Sequence, residues 1–205
     1  MSDDLARLYR ANSRSTAYLD ESFEIDGKDT FFIMGCAVIE DGLRSTTRRE
    51  LTEFYGGTLH AAPMWAAGEK ESLAKATELI ATCHDGADVV VCAPLGKDDP
   101  HGDRARIKCI EYLAPILHAQ DEVDLFVFDK PSTPSISKRD HWAFRDLVKA
   151  EKLSRAVAVG HVYPSEEPLL GLPDMIAWAY RQVHVSGNDS WFKPLRGKTR
   201  VHEIS

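Results

Sequence analysis

The sequence predicts one α/β domain, a mixed β-sheet of about five strands with helices on both faces. Three observations lead there. Two apolar segments, residues 16–19 and 31–39, flank a polar stretch and read as a hairpin of strands. From residue 87 onward, short β-branched runs alternate with segments whose apolar residues recur every three or four positions, which is the pattern of strands covered by helices. Finally, 205 residues with 43% hydrophobic composition suit a single packed core.

Taken in order, residues 1–15 are a polar lead-in, loose or briefly helical. Residues 16–19 (TAYL) form a short strand that closes at Asp20, followed by a turn at residues 26–29 and the apolar strand 31–39, which Gly35 interrupts. Residues 45–55 read as a helix stopped by Gly56 and Gly57, since glycine accepts the left-handed backbone of a helix end. Residues 58–65 fit no single pattern. Residues 69–83 are helical through Leu73, Ala76, Leu79, Ile80 and Cys83, and residues 87–93 (ADVVVCA) are a buried strand. A charged loop over 96–103 leads to a helix over 104–119, which Pro115 is expected to kink or shorten. Residues 123–128 (VDLFVF) form a strand ending in Asp129. Ser137 then opens a helix to about residue 152, with Asp140 three positions on as a weak capping box. Residues 155–162 are the last predicted strand, residues 164–168 an acidic Pro-rich loop, and residues 172–185 the last helix. The chain thus divides into the lead-in 1–15, a domain over 16–186, and a basic, aromatic tail over 187–205.

Composition excludes several function classes. No apolar stretch approaches the ~18 residues of a membrane span, and MSDDLARLYR has no signal-peptide core, so a cytoplasmic location without a membrane partner is expected. Cys36, Cys83, Cys92 and Cys109 include no C-x-x-C pair, which argues for reduced, mostly buried thiols rather than zinc. A net charge of −7 opposes nucleic-acid binding over the whole surface but leaves room for a local basic patch. No P-loop, G-x-G-x-x-G, G-x-S-x-G or H-E-x-x-H motif is present.

Three acids stand out by position. Asp20 and Asp129 each close a predicted strand, and Asp174 opens the last helix just after Pro173. Strand ends of an α/β sheet are where loops leave a crevice for ligands. If the two strands are neighbours, Asp20 and Asp129 face each other across about 4.8 Å. Carboxylates that close repel unless a divalent cation lies between them, and hard oxygen ligands select Mg²⁺ or Mn²⁺. The plainer alternative is that each Asp is a turn former or a first-turn anion.

These segments also carry a family resemblance. AYLDESFE with the following FFIMGCAVIE, the strand DLFVFD, and the ending GLPDMIAWAYRQV together resemble the bacterial and phage family catalogued as domain of unknown function 3800. The similarity runs from Ala17 to Val185. Phe23 departs from the family's glycine after D-E-S, and Pro173 from its alanine before the helix acid. The resemblance implies a ribonuclease H-like fold and a nuclease-type metal site at Asp20, Asp129 and Asp174, with Glu21 as a fourth catalytic carboxylate.

Other candidates are weaker. Strand alternation would send Glu21 to the face opposite Asp20, unless the chain turns there. His60 and Lys70 are candidate substrate contacts, against the ordinary readings of a structural histidine and a solvated lysine. His161, Glu166 and Glu167 read as structural or loop residues. Arg44, Arg48 and Arg49 form one basic cluster. Lys193, Arg196, Lys198 and Arg200, beside Trp191 and Phe192, form a second that suits a nucleic-acid strand. The leading expectation is a metal-dependent phosphodiester hydrolase of nuclease type. The alternatives are a non-catalytic member of the fold that binds nucleic acid or an unspecified protein, in a phage or mobile-element setting, and a hydrolase of small phosphate compounds.

Overall fold

The computed structural model describes residues 3–12, 14–24, 30–56, 59–83, 88–96, 98–99, 101–131 and 133–205. The expected turn at 26–29, Gly57 and Ala87 lie outside them, as does the side chain of Cys92. Among the described residues no helix is long and apolar enough to cross a membrane.

A mixed sheet organises the chain. Its strands are β1 (Ser15–Glu24), β2 (Phe31–Glu40), β3 (Asp88–Pro94), β4 (Val123–Asp129), β5 (Ala158–Val162) and β6 (Thr199–Glu203), in the order β5-β4-β1-β2-β3-β6. β2 runs antiparallel to both β1 and β3, while the β1–β4, β4–β5 and β3–β6 pairs are parallel. The five expected strands are therefore joined by a sixth. It comes from the tail, where Thr199, Val201 and Glu203 pair with β3. The fold is α/β of the ribonuclease H-like class.

The helices are α1 (Asp3–Ala11), α2 (Arg44–Tyr55), α3 (Ala61–Ala66), α4 (Lys70–Ile80), α5 (Asp103–Gln120), α6 (Pro134–Lys149) and α7 (Gly171–Ser186). Alternation along the strands sorts the core into two layers. Tyr18, Ile33, Leu125 and Val127 point to one face and pack with α7, α4 and the buried residues of α1, α2 and α3. Ala17, Leu19, Phe32, Met34, Phe126 and Phe128 point to the other and pack with α5 and α6. β2 is buried on both sides from Phe31 to Ile39, which explains its unbroken apolar run.

Several local expectations shift. β1 does not close at Asp20 but continues to Glu24, paired with β2 as far as Glu24–Phe31. The strand thus passes straight through Phe23, whose ring lies parallel to that of Phe32 at 6.3 Å, so no glycine turn is needed there. α5 carries through Pro115 over its full 18 residues. The carbonyl that loses its donor belongs to Glu111, on the exposed side, where water can replace it. α6 begins at Pro134, with Thr133 at its N-cap, because proline suits the first helical turn. Ser137 and Asp140 are therefore inside the helix rather than a capping pair. Of the stretch 58–65, unassigned from sequence, residues 61–65 belong to α3, which ends at Ala66.

One glycine decides how closely α7 sits on the sheet. A Cβ at Gly35 would run into the Pro173 carbonyl oxygen and lie 2.9 Å from Ala177 Cβ and 3.0 Å from Ala177 N. Gly35 is also the register partner of Asp20. The start of α7 therefore rests on the sheet directly beside Asp20. At Gly171 a Cβ would lie 2.7 Å from Leu59 Cβ, so the same helix start is wedged against the segment leading into α3. Gly35→Ala must push backbone rather than a flexible side chain and should destabilise by about 1–3 kcal/mol. Urea unfolding is expected to show a lower midpoint with an unchanged slope.

Candidate functional site

The β1–β4 ladder ends at the pair Leu19–Phe128, and the next position on each strand is an acid, Asp20 and Asp129. Parity places both on the α7 face, below the Tyr18 and Val127 positions. Asp174 comes from the first turn of α7, on the same side. The three acids influence one another. Burial pushes the Asp20 carboxyl well above its ordinary range, and the charges of Asp174, Glu21 and Asp129 push it further. Asp129 is raised by burial first, then by Glu21 and Asp174, against a lowering hydrogen bond from the Lys130 backbone.

Each acid is held by a few bonds that leave other oxygens available. Glu21 N donates to Asp20 Oδ1 at 2.8 Å. Ala61 N, at the start of α3, donates to Asp174 Oδ2 at 2.8 Å, and His60 Nδ1 lies 3.6 Å from the same oxygen. The nearby Asp174 carboxylate raises the His60 pKa, burial opposing and the charge of Asp129 adding to the rise. His60 is thus a neighbour of the acids, with its side chain 44% exposed. Lys70 is at the start of α4, its ammonium 5.5 Å from the centre of the Trp65 ring. Among the described residues, no group of three or more His, Cys, Asp or Glu side chains is close enough, as it stands, to hold a metal ion.

Glu21 is on the opposite face. Because β1 stays extended through Asp20, Glu21 points towards α5 and pairs with Arg106. Arg106 is almost fully buried and also donates through Nε and Nη2 to Asp140 Oδ1 and Oδ2, both at 3.0 Å. His161 Nε2 donates to Asp140 Oδ2 at 2.8 Å, and its ring stacks on Phe128. Burial alone would raise the Asp140 pKa, but the bonds from His161 and Arg106 lower it overall. The capping role expected for Asp140 is thus replaced by an ionic one.

Sequence reasoning missed this network, although it left a signal. Arg106 falls on the stripe of Cys109, Ile110 and Leu113, and Asp140 on that of Ala143, Phe144 and Leu147. Opposite charges on the core stripes of two packed helices point to a buried pair. Glu167 is a second such case and not a loop charge. It is fully buried, accepting from Arg48 Nε and Nη2 at 3.0 and 2.6 Å and from the Tyr9 hydroxyl at 2.5 Å.

The two expected basic clusters are largely engaged inside the protein. Arg48 belongs to Glu167, and Arg44 is buried against Asp41 with its guanidinium 4.0 Å from the Tyr9 ring centre. In the tail, Arg200 pairs with Asp121 at 2.5 Å, Arg196 with Asp189 at 3.1 Å, and Lys198 donates to the Ile80 carbonyl at 3.0 Å. Phe192 is buried against Tyr180, and Trp191 packs on Trp178 and Trp65. Phe192 and Trp191 thus pack against the core. Two open clefts, of about 570 and 510 Å³, are lined by Val148, Lys149, residues 151–155 and His118 and by residues around Tyr9 and Arg44, and neither includes the three acids.

Compared with protein-family models and with curated proteins, the chain matches none of them.

Two outcomes follow from this charge layout. Removing Asp140 from the buried network, as in Asp140→Ala, leaves Arg106 with Glu21 as its one remaining partner and takes the acceptor from His161, and should cost about 3 kcal/mol in chemical unfolding. Asp20 behaves in the opposite way. Its folded pKa is raised, so the metal-free native state is penalised once pH rises above the ordinary carboxylate range, and the penalty is absent below it. Asp20→Asn should therefore raise the melting temperature in chelator at neutral pH. That gain should shrink to nothing as pH falls into the ordinary carboxylate range.

Proposed function

We propose that the chain is a metal-dependent phosphodiester hydrolase of nuclease type, with Asp20, Asp129 and Asp174 as ligands for Mg²⁺ or Mn²⁺. The observation that carries this reading is the raised cost of ionising Asp20 and Asp129, with the charge of Asp174 among its causes, where three acids share one face of the sheet, two at the ends of neighbouring strands and one at a helix start. The fit of a hard divalent cation rests on the donor set. All the donors are carboxylate oxygens. Among the described residues, Asp20 Oδ2 and Asp174 Oδ1 accept no hydrogen bond, and the burial of Asp20 makes its bare charge costly. The bound ion would supply charge neutralisation of phosphate and activation of water.

The chain's own groups have separable tasks. Ala61 N holds one oxygen of Asp174, with His60 beside it, and leaves the other without a hydrogen bond among the described residues. His60, with a raised pKa and partial exposure, is suited to donate to a phosphate oxygen or to hold water beside Asp174. Glu21, drawn to Arg106 on the opposite face, contributes through its charge and not as a ligand.

The resemblance of the DES, DLFVFD and PDMIAWA segments to the family named above supports the same assignment. A non-catalytic, nucleic-acid-binding role is the second reading. It is favoured by the spacing of the acids, which as they stand are not close enough to share an ion.

Mn²⁺ or Mg²⁺ should raise the melting temperature of the native chain by linkage, and Asp129→Asn should abolish the rise. Asp174→Asn, which keeps an acceptor for the Ala61 N–H, should leave folding intact. It should cut Mn²⁺-dependent cleavage of single- or double-stranded DNA or RNA by at least about a hundredfold. A wild-type chain that shows the thermal shift but cleaves none of these substrates would support the binding role.

A further inference from the structure

The open cleft of about 510 Å³ lies between α1 and the start of α2, with Tyr9 and Arg10 on one side and Asp41, Arg44, Ser45 and Arg48 on the other. Its size is that of a small-molecule site. None of the three acids lines it. Asp41 follows Glu40, whose ladder partner Ser15 is five positions, about 17 Å of strand, before Asp20.

The cleft is rich in donors that the protein leaves unused. Arg44 is 5% exposed. Its Nη2 pairs with Asp41 and its guanidinium lies 4.0 Å from the Tyr9 ring centre, yet Nη1 is buried with no hydrogen-bond partner. Buried N–H groups are nearly always satisfied, so this one calls for an acceptor. Arg48 gives Nε and Nη2 to Glu167, while its Nη1 makes no hydrogen bond among the described residues. Arg10 and the Ser45 hydroxyl are exposed, and neither side chain has a hydrogen bond or ion pair among the described residues. Three arginines thus face one lining acid, Asp41, since the buried Glu167 does not line the cleft. Arg44 and Arg48 are held in place by their carboxylate partners and by the Tyr9 ring, so little ordering is needed on binding.

We propose that this cleft binds a small phosphate-bearing molecule, whose phosphate oxygens accept from Arg10, from Ser45 Oγ and from the spare Nη1 atoms of Arg44 and Arg48. Guanidinium groups only donate, so the ligand must bring both acceptors and negative charge. A phosphate supplies more acceptor oxygens than a carboxylate and matches the planar donor edges of arginine. The site is independent of the hydrolase reading, because it uses none of the three acids and needs no metal ion.

Isothermal titration calorimetry of the full chain in chelator tests the site, with inorganic phosphate, a nucleoside monophosphate and the matching nucleoside as probes. Chelator keeps the three acids bare, so they repel the anions and do not compete for them. Saturable binding of phosphate or of the monophosphate is expected, and none of the nucleoside. Arg10→Gln should weaken binding about tenfold and Ser45→Ala about fivefold, while Arg10→Lys keeps most of it. Both side chains are exposed, so these variants retain the fold. Arg49→Gln is the control. Its side chain is on the same helix, 64% exposed beside Glu53 and outside the cleft, and its loss should change nothing. Equal affinity for the two anions makes phosphate itself the ligand, and tighter binding of the monophosphate makes it a phosphomonoester. Three results overturn the proposal: no saturable binding of either anion, equal binding of the nucleoside, or an affinity that ignores the Arg10 and Ser45 substitutions or falls as far with Arg49→Gln.

Discussion

The seat of α7 on the sheet is the constraint on which the rest of the arrangement depends. Helix and strand can approach this closely only because Gly35 presents no side chain to Pro173 and Ala177. The approach brings the first turn of α7 beside the Gly35–Asp20 pair, so a helix acid arrives where two strand acids already stand. Gly171 against Leu59 extends the contact to the segment that begins α3. Asp174 then answers two needs with one carboxylate. It accepts the N–H of Ala61, which has no intrahelical partner at the start of α3, and keeps an oxygen for the site.

The sheet also separates two kinds of charge. On the α7 face, like charges gather and Asp20 and Asp129 resist ionisation. On the α5–α6 face, Glu21, Arg106 and Asp140 alternate in sign, His161 donates to Asp140, and the four are joined by short hydrogen bonds. The first arrangement is costly without a ligand, whereas the second is satisfied within the protein. Adjacent residues of β1, Asp20 and Glu21, belong to opposite groups because a strand sends successive side chains to opposite faces. A further buried cluster, Glu167 with Arg48 and Tyr9, anchors the segment that leads into α7 and so supports the same helix start from outside.

Much of this is legible in the chain. The hairpin, the alternation of strands and helices, and the three acids at their positions all follow from periodicity and from the residues that end apolar runs. The exceptions have identifiable causes. Polar residues follow Asp20 and suggest that β1 ends there, yet pairing with the wholly buried β2 carries it to Glu24. The polarity of the tail suggests an appendage. It is drawn in by Phe192 and Leu195, both buried, and by the pairing of β6 with β3.

The sequence by itself determined the fold class and the identity of the acids, because both depend on local pattern: which positions are apolar, and which residue terminates a run. Tertiary structure alone decided which charges are available. Arg44, Arg48 and Arg106 look on paper like the same surface cation as Lys70 or Lys130. They are instead engaged by Asp41, Glu167, Glu21 and Asp140, partners brought from as far as 119 positions away in the Arg48–Glu167 pair. Pairing of charges depends on distance in space, and only the folded chain brings such remote positions within a few ångströms of each other.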